Sequence, residues 1–316
     1  MITEVRNYYK PFEYQTAFDY YKDQHRAHWL ADEVPLASDL NDWKLKLTES
    51  EKSLIGNILK SFAQTEVHVN DYWSTKVSIW FPKPEIQAMA RVFADFESIH
   101  AEAYARLNEE LGLDDFRAFL EDEVSKAKIE RLIETPGETI EDRAVSLAIF
   151  SAFTEGVNLF SSFAVLMSFQ LRNLMKGTGQ IVEWSVRDES LHSKAGCWLF
   201  RTLLKEQPEL NTDELREKII EACHLSVQLE FDFIDKAFEM GSVEGLNKNQ
   251  LKNFIKARAN EKMIELGYKA IYNDIDPNLL KQIEWFGHLT SGKTQQDFFA
   301  GRVTNYSKST ADWDDL

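Results

Sequence analysis

The stretch Phe93-Ala94-Asp95-Phe96-Glu97-Ser98-Ile99-His100-Ala101-Glu102-Ala103-Tyr104 decides the fold, read together with Arg187-Asp188-Glu189-Ser190-Leu191-His192. Each contains a Glu-x-x-His step. Residues three apart share a helix face, so a carboxylate oxygen and an imidazole nitrogen reach the same ion. With 31 Glu and seven His in 316 residues, composition alone predicts roughly 0.7 such steps. The sequence has three. The third, Glu221-Ala222-Cys223-His224, shares its face with Glu217, Ile220 and Gln228 and reads as a solvated helix face. The first two ride on apolar or small-residue stripes, with Ala90, Phe93 and Ala94 beside one and Val182, Val186 and Gly196 beside the other.

What precedes each step sharpens the reading. Glu66 lies 31 residues before Glu97, on a face with Leu59, Phe62 and Trp73, and Glu155 lies 34 before Glu189, on a stripe with Ala148, Ala152, Leu159 and Phe163. A lone acid in such surroundings is costly unless it is protonated, ion-paired or metal-bound. A Glu from each of two helices plus a Glu-x-x-His from each of two others is the ligand set of dinuclear carboxylate proteins with a ferritin-like bundle. The metal ligands expected are therefore Glu66, Glu97, His100, Glu155, Glu189 and His192. Four carboxylates balance two divalent cations, whereas one ion would leave buried charge uncompensated. Nitrogen and oxygen ligands without thiolate suit iron or manganese better than tetrahedral zinc.

The rest of the chain fits an all-α protein. Hydrophobic residues make up 44% of it, enough for a sizeable core, and the net charge of −16 argues against a nucleic-acid binder. Cys197 and Cys223 read as small core residues, no run of 18 apolar residues suggests a membrane span, and Met1–Lys10 has no signal-peptide core, so a cytoplasmic protein is expected. Thr48-Glu49-Ser50-Glu51 is a capped helix start, and the helix runs on to about Val77. Pro82 and Pro84 separate it from a helix over Glu85 to about Leu111, with Gly112 as its cap. One or two shorter helices are expected over Asp114–Ile133, then one long helix from Thr139 to about Met175 carrying Glu155. Gly177-Thr178-Gly179 is expected to stop that helix; with no strand before it, it is not a nucleotide loop. Helices over Gln180–Lys205, Thr212–Met240 and Asn247–Leu266 follow. Residues 1–300 are expected to form one ferritin-like helical domain. The polar remainder, 301–316, reads as a flexible tail whose Trp, acids and terminal Leu suit docking.

With these residues in place, the chain resembles the radical-generating small subunit of class I ribonucleotide reductase over essentially its whole length. The resemblance rests on the six ligands at the family's spacing and on Arg187-Asp188-Glu189-Ser190-Leu191-His192. It implies that Tyr104 stands at the radical tyrosine, Trp29 at the tryptophan leading to the surface, and Tyr306 at the tail tyrosine that relays the radical. It implies also that Asp188 links Trp29 to His100, that the chain forms a homodimer, and that the tail docks on the large subunit, where ribonucleotides are reduced. Geometry independently brings Tyr104 close, since it follows His100 by about 6 Å along the helix and leans back toward the ligands. A tyrosine that only fills the core meets the same pattern.

One departure bears on the metal. The first ligand is Glu66 where common tyrosyl-radical members carry Asp, and the positions around Tyr104 are Leu159, Phe163 and Ser185. Glutamate there resembles the two subclasses that keep the oxidising equivalent on the metals, one with Mn/Fe and the di-manganese class Id. The Mn/Fe subclass usually has phenylalanine in place of the tyrosine, so with Tyr104 present the resemblance leans to class Id, and Mn/Mn is favoured over Fe/Fe or Mn/Fe. Two rivals share the ligand pattern. A stand-alone ferritin-like oxidase or monooxygenase has no use for Trp29, Asp188 or the tail, and a metal-storage bundle predicts many ions per chain.

Overall fold

A computed structural model describes residues 1–113, 137–239 and 243–290. Among these residues the chain is helical, with no strand and a single isolated bridge between Val243 and Leu246. The tail at 301–316, including Tyr306, and the helices expected over 114–133 lie outside the described residues.

Local chemistry places the helix ends. Helices α1 (Gln15–Arg26) and α2 (Ala37–Leu45) precede α3 (Glu49–Asp71). Thr48 opens α3 with a reciprocal cap: its hydroxyl accepts from the Glu51 amide, and the Glu51 carboxylate accepts from the Thr48 amide at 2.8 Å. Pro84 begins α4 (Pro84–Glu110), where its missing N–H costs nothing, and Gly112 at φ +72° follows its end.

Helix α3 packs along α4, and the second half of the core repeats the arrangement. There, α5 (Ile140–Leu147), a π-helical segment (Ala148–Thr154) and α6 (Phe160–Ser168) pack along α7 (Lys176–Glu206). Each pair supplies one lone Glu and one Glu-x-x-His step. Helix α1 lies over α4 and α7, while α8 (Asp213–Ala237) and α9 (Lys248–Glu265) cover the π segment. Two short helices, α10 (Pro277–Gln282) and α11 (Glu284–Thr290), complete the described chain. Cys197 and Cys223 are buried and unpaired, and no described helix is long and apolar enough to cross a membrane.

Three expectations need correction. The single helix expected from Thr139 to Met175 is interrupted: the Glu155 amide donates to Phe150 O, five residues back, and Glu155 heads a turn rather than riding on an α-helix. A π turn holds one extra residue and so rotates the side chains that follow. Likewise the helix expected to end at about Val77 runs on to Trp80, with a π segment over Tyr72–Val77 between the α-helical stretches Glu49–Asp71 and Ser78–Trp80. The glycines at 177 and 179 do not stop a helix; they lie in the first turn of α7. The break comes earlier, at Asn173 and Met175, whose φ values are 59° and 51°. Asp39 fills that helix start, accepting from the amides of Gly177 at 2.9 Å and Thr178 at 2.7 Å, so a buried carboxylate occupies the place an anion would take.

Candidate metal centre

Glu66 projects from α3, Glu97 and His100 from α4, Glu155 from the end of the π segment, and Glu189 and His192 from α7. All six are at most 1% exposed. They form two overlapping groups, Glu66, Glu97, His100 and Glu189 in one and Glu97, Glu155, Glu189 and His192 in the other, with the potential ligand atoms of each within 4.8 Å of one another. Glu97 and Glu189 belong to both. Two adjacent sites that share two carboxylates form a dinuclear arrangement.

The two histidines face the same way. Nδ1 of His100 lies 3.0 Å from Glu97 Oε2 and 3.2 Å from Glu189 Oε1, and Nδ1 of His192 lies 2.7 Å from Glu97 Oε1. The far nitrogens are held from behind. His100 Nε2 lies 3.3 Å from Asp188 Oδ2, and His192 Nε2 lies 3.0 Å from the side-chain oxygen of Gln24. Acceptors at Nε2 hold one ring proton there and leave Nδ1 facing the carboxylates, as their donor in the metal-free protein and, once deprotonated, as a metal ligand, the usual backing of a metal-binding imidazole.

Electrostatics shows how poorly these acids suit one another alone. Burial, then the charges of Glu97 and Glu189, pushes Glu66 well above the carboxylate range, and burial with the charges of Glu189 and Glu97 does the same to Glu155. Glu189 is raised to about 7 by burial and Glu97. Burial opposes ionisation of Glu97 too, but the charge of His192 and hydrogen bonds from both histidines outweigh it and lower its pKa to about 2. His100 is raised well above the imidazole range, because the carboxylates of Asp188, Glu189 and Glu97 around it overcome its burial. Both oxygens of Glu66, both of Glu189 and Oε2 of Glu155 have no hydrogen-bond partner. Buried oxygens without donors, converging from separate elements, fit cations. The six residues thus suit a dinuclear metal site with oxygen and nitrogen donors.

Around the ligands, Asp188 is the hub. Its Oδ2 accepts from Trp29 Nε1 at 2.8 Å and faces His100, while Oδ1 accepts from Gln24 Nε2 at 3.1 Å and from Arg187 Nε at 3.4 Å. Burial raises its pKa, but bonding and charge from His100, with smaller contributions from Arg187 and Trp29, leave it below the ordinary value. Trp29 is 2% exposed, stacks on His100 with ring centroids 5.8 Å apart, and meets the half-buried Trp184 at 5.2 Å. Tyr104 is fully buried against the ring of Phe62, which also meets that of Phe163, and burial raises its pKa well above that of a free phenol. The hydroxyls of Tyr104 and Ser185 are both buried without a partner. Glu221 and His224 are exposed on α8, away from these groups, and His224 meets Tyr272.

Sequence reasoning missed two residues. Gln24 joins His192 to Asp188 from α1, and Trp73 donates to Glu155 Oε1 at 2.6 Å. Trp73 carried a faint signal, being on the Glu66 face; Gln24 carried none.

Comparison with known proteins agrees with this geometry. The family model for the ribonucleotide reductase small chain matches residues 6–278. The chain is 34% identical to the probable ribonucleoside-diphosphate reductase small subunit 376L of Invertebrate iridescent virus 6, over 96% of this chain and 94% of that one. It shares its fold with the dimanganese(II)-NrdF of Streptococcus sanguinis, with a TM-score of 0.75 and 20% identity over 87% of this chain and all of the other. The Rnr4 homodimer of Saccharomyces cerevisiae gives a TM-score of 0.72 and 23% identity over 87% and 86%. A dinuclear ligand set inside a helical core, matched by the family model over most of the sequence, places this chain in the ribonucleotide reductase small-chain family.

Proposed function

We propose that the protein is the small subunit of ribonucleoside-diphosphate reductase, holding a dimetal centre on Glu66, Glu97, His100, Glu155, Glu189 and His192 and passing an oxidising equivalent to a large subunit. The observation that carries this reading is the pair of four-residue groups sharing Glu97 and Glu189. When bound, a redox-active metal pair supplies a one-electron oxidising equivalent. The chain's own residues position and relay. Gln24 and Asp188 keep the Nδ1 lone pairs of His192 and His100 turned inward, and the core helices keep water away. Asp188 Oδ2 holds the indole N–H of Trp29 beside His100, so an electron leaving Trp29 and its N–H proton have a common neighbour. A stand-alone oxidase would not need that line of residues.

Manganese at both positions is the favoured pair. Glu66 in place of Asp supports it, as does the dimanganese relative of the same fold. Fe/Fe and Mn/Fe use the same donors. A homodimer is supported by the dimeric relative, a cytoplasmic location by the reduced cysteines, and docking on the large subunit by the polar 301–316 tail. Tyr104 then fills the core beside the ligands, and Tyr306 carries the equivalent across the subunit boundary.

The test is turnover of the reconstituted complex. Tyr306→Phe should abolish ribonucleotide reduction while metal content stays at two ions per chain; retained turnover removes Tyr306 from the relay. Metal analysis with electron paramagnetic resonance on protein from its native source checks the pair: a coupled multiline manganese signal is expected, and iron with a narrow organic radical would restore Tyr104 as the oxidant.

A further inference from the structure

Glu155 is the one of the six that no α-helix holds: Trp73 bonds its carboxylate, and something else must fix the backbone beneath it. The turn after it frees a carbonyl: the Phe160 amide donates to Val157 O at 3.1 Å, leaving Gly156 O outside the helical ladder. Arg258 of α9 takes that oxygen. Its Nε and Nη2 donate to Gly156 O at 3.2 and 2.9 Å, and its guanidinium lies 3.6 Å from the centroid of the Phe160 ring, at the other end of the same turn. Nη1 donates to Glu261 Oε2 at 3.1 Å, which aims the fork. The side chain is only 14% exposed, so it is a fixed strut rather than a surface cation. Close packing at Gly156 leaves no room for adjustment: a Cβ there would overlap Ala152 O and lie 2.7 Å from Lys262 Cδ and Cε.

We infer that Arg258 is a positioning residue for the dimetal centre, clamping the Gly156–Phe160 turn so that the Glu155 carboxylate stays opposite Glu97, Glu189 and His192. The inference rests on reading the six-residue cluster as a two-ion site. Its effect is selective. Only the group that contains Glu155 depends on this turn; the group of Glu66, Glu97, His100 and Glu189 is carried by α3, α4 and α7.

The experiment is manganese titration of the full-length protein, following free Mn²⁺ by electron paramagnetic resonance, with thermal denaturation of the metal-free protein alongside. In Arg258→Ala, one of two ions should bind about 10- to 100-fold more weakly, the range for losing a group that supports a ligand, while the other keeps its affinity. Arg258→Lys, which retains a donor for the carbonyl, should lose less and covers the case in which the alanine variant does not fold. Two ions bound with unchanged affinity in both variants would overturn the inference. So would weakening of both ions together in step with a lowered Tm, which is the mark of general destabilisation. Fewer than two ions on the unmutated protein would instead overturn the two-ion reading itself.

Discussion

Asp188 is where charge and hydrogen bonding can be tested most sharply, because its oxygens serve four groups. Oδ2 serves Trp29 and His100, and Oδ1 serves Gln24 and Arg187. An amide of the same shape offers one acceptor and one donor, so Asp188→Asn sets an NH2 against either the Trp29–His100 side or the Gln24–Arg187 side. A buried donor left facing another donor is costly, and His100 loses the anion behind it. Metal affinity is expected to fall about 10- to 100-fold, measured by competition with a chelator; an unchanged affinity would show that His100 needs no anionic backing. The clustering of the six candidate ligands was legible because acids and histidines on apolar stripes contradict the local environment, whereas Asp188 was legible only through the family resemblance. Gln24 was not: an amide beside Asp23 on a polar stretch has no such contradiction, and only the packing of α1 over α7 turns it inward.

Helices and their boundaries were legible where chemistry marks them, as at Thr48, Pro84 and Gly112. The π segments were not, because a single extra residue leaves a run such as Ala148–Thr154 as apolar as a regular helix would be. Their consequence is a close approach. Gly196 of α7 faces Ser151 of the π segment, where a methyl group would overlap both Oγ and Cβ of Ser151. Rotating the serine hydroxyl cannot relieve a clash with its Cβ. Gly196→Ala should therefore destabilise the protein by about 1–3 kcal/mol, as overpacked cores do, although alanine in a helix interior is favoured by about 1 kcal/mol. Thermal denaturation decides the sign: a lowered Tm is expected, and a raised one would mean that the two segments part easily. Because Ser151 precedes Glu155 by four residues, the same variant should also loosen the ion held by Glu155 and His192.

At the scale of the assembled fold, the overall charge of −16 says little about the interior, where four acids meet in one place. Without metal, the fold keeps three of these acids by holding protons on them, and Glu97 as the anion beside the two histidines. Glu189 has its pKa raised from 4.5 to about 7, and Glu66 and Glu155 are raised well above 4.5. A raised folded pKa means that the native state binds more protons than the unfolded chain between the two values, so stability falls as pH climbs through that window. His100, raised above 6.5, acts in the same direction at higher pH. Glu97, lowered to about 2, acts oppositely, but its window lies below 4.5. The metal-free protein should therefore lose stability from about pH 5 to about pH 8, on the order of 3 kcal/mol from Glu189 alone at 1.4 kcal/mol per unit. Metal binding reverses the dependence, because ions displace these protons and bind more tightly as pH rises. Calorimetry with chelator and with Mn²⁺ checks both arms: the Tm of the chelated protein should fall across this range while the increment due to metal grows. A chelated protein whose Tm rose from pH 5 to pH 8 would mean that Glu66, Glu155 and Glu189 are not held as buried acids, and two cations would no longer be the electrostatic partners this cluster needs.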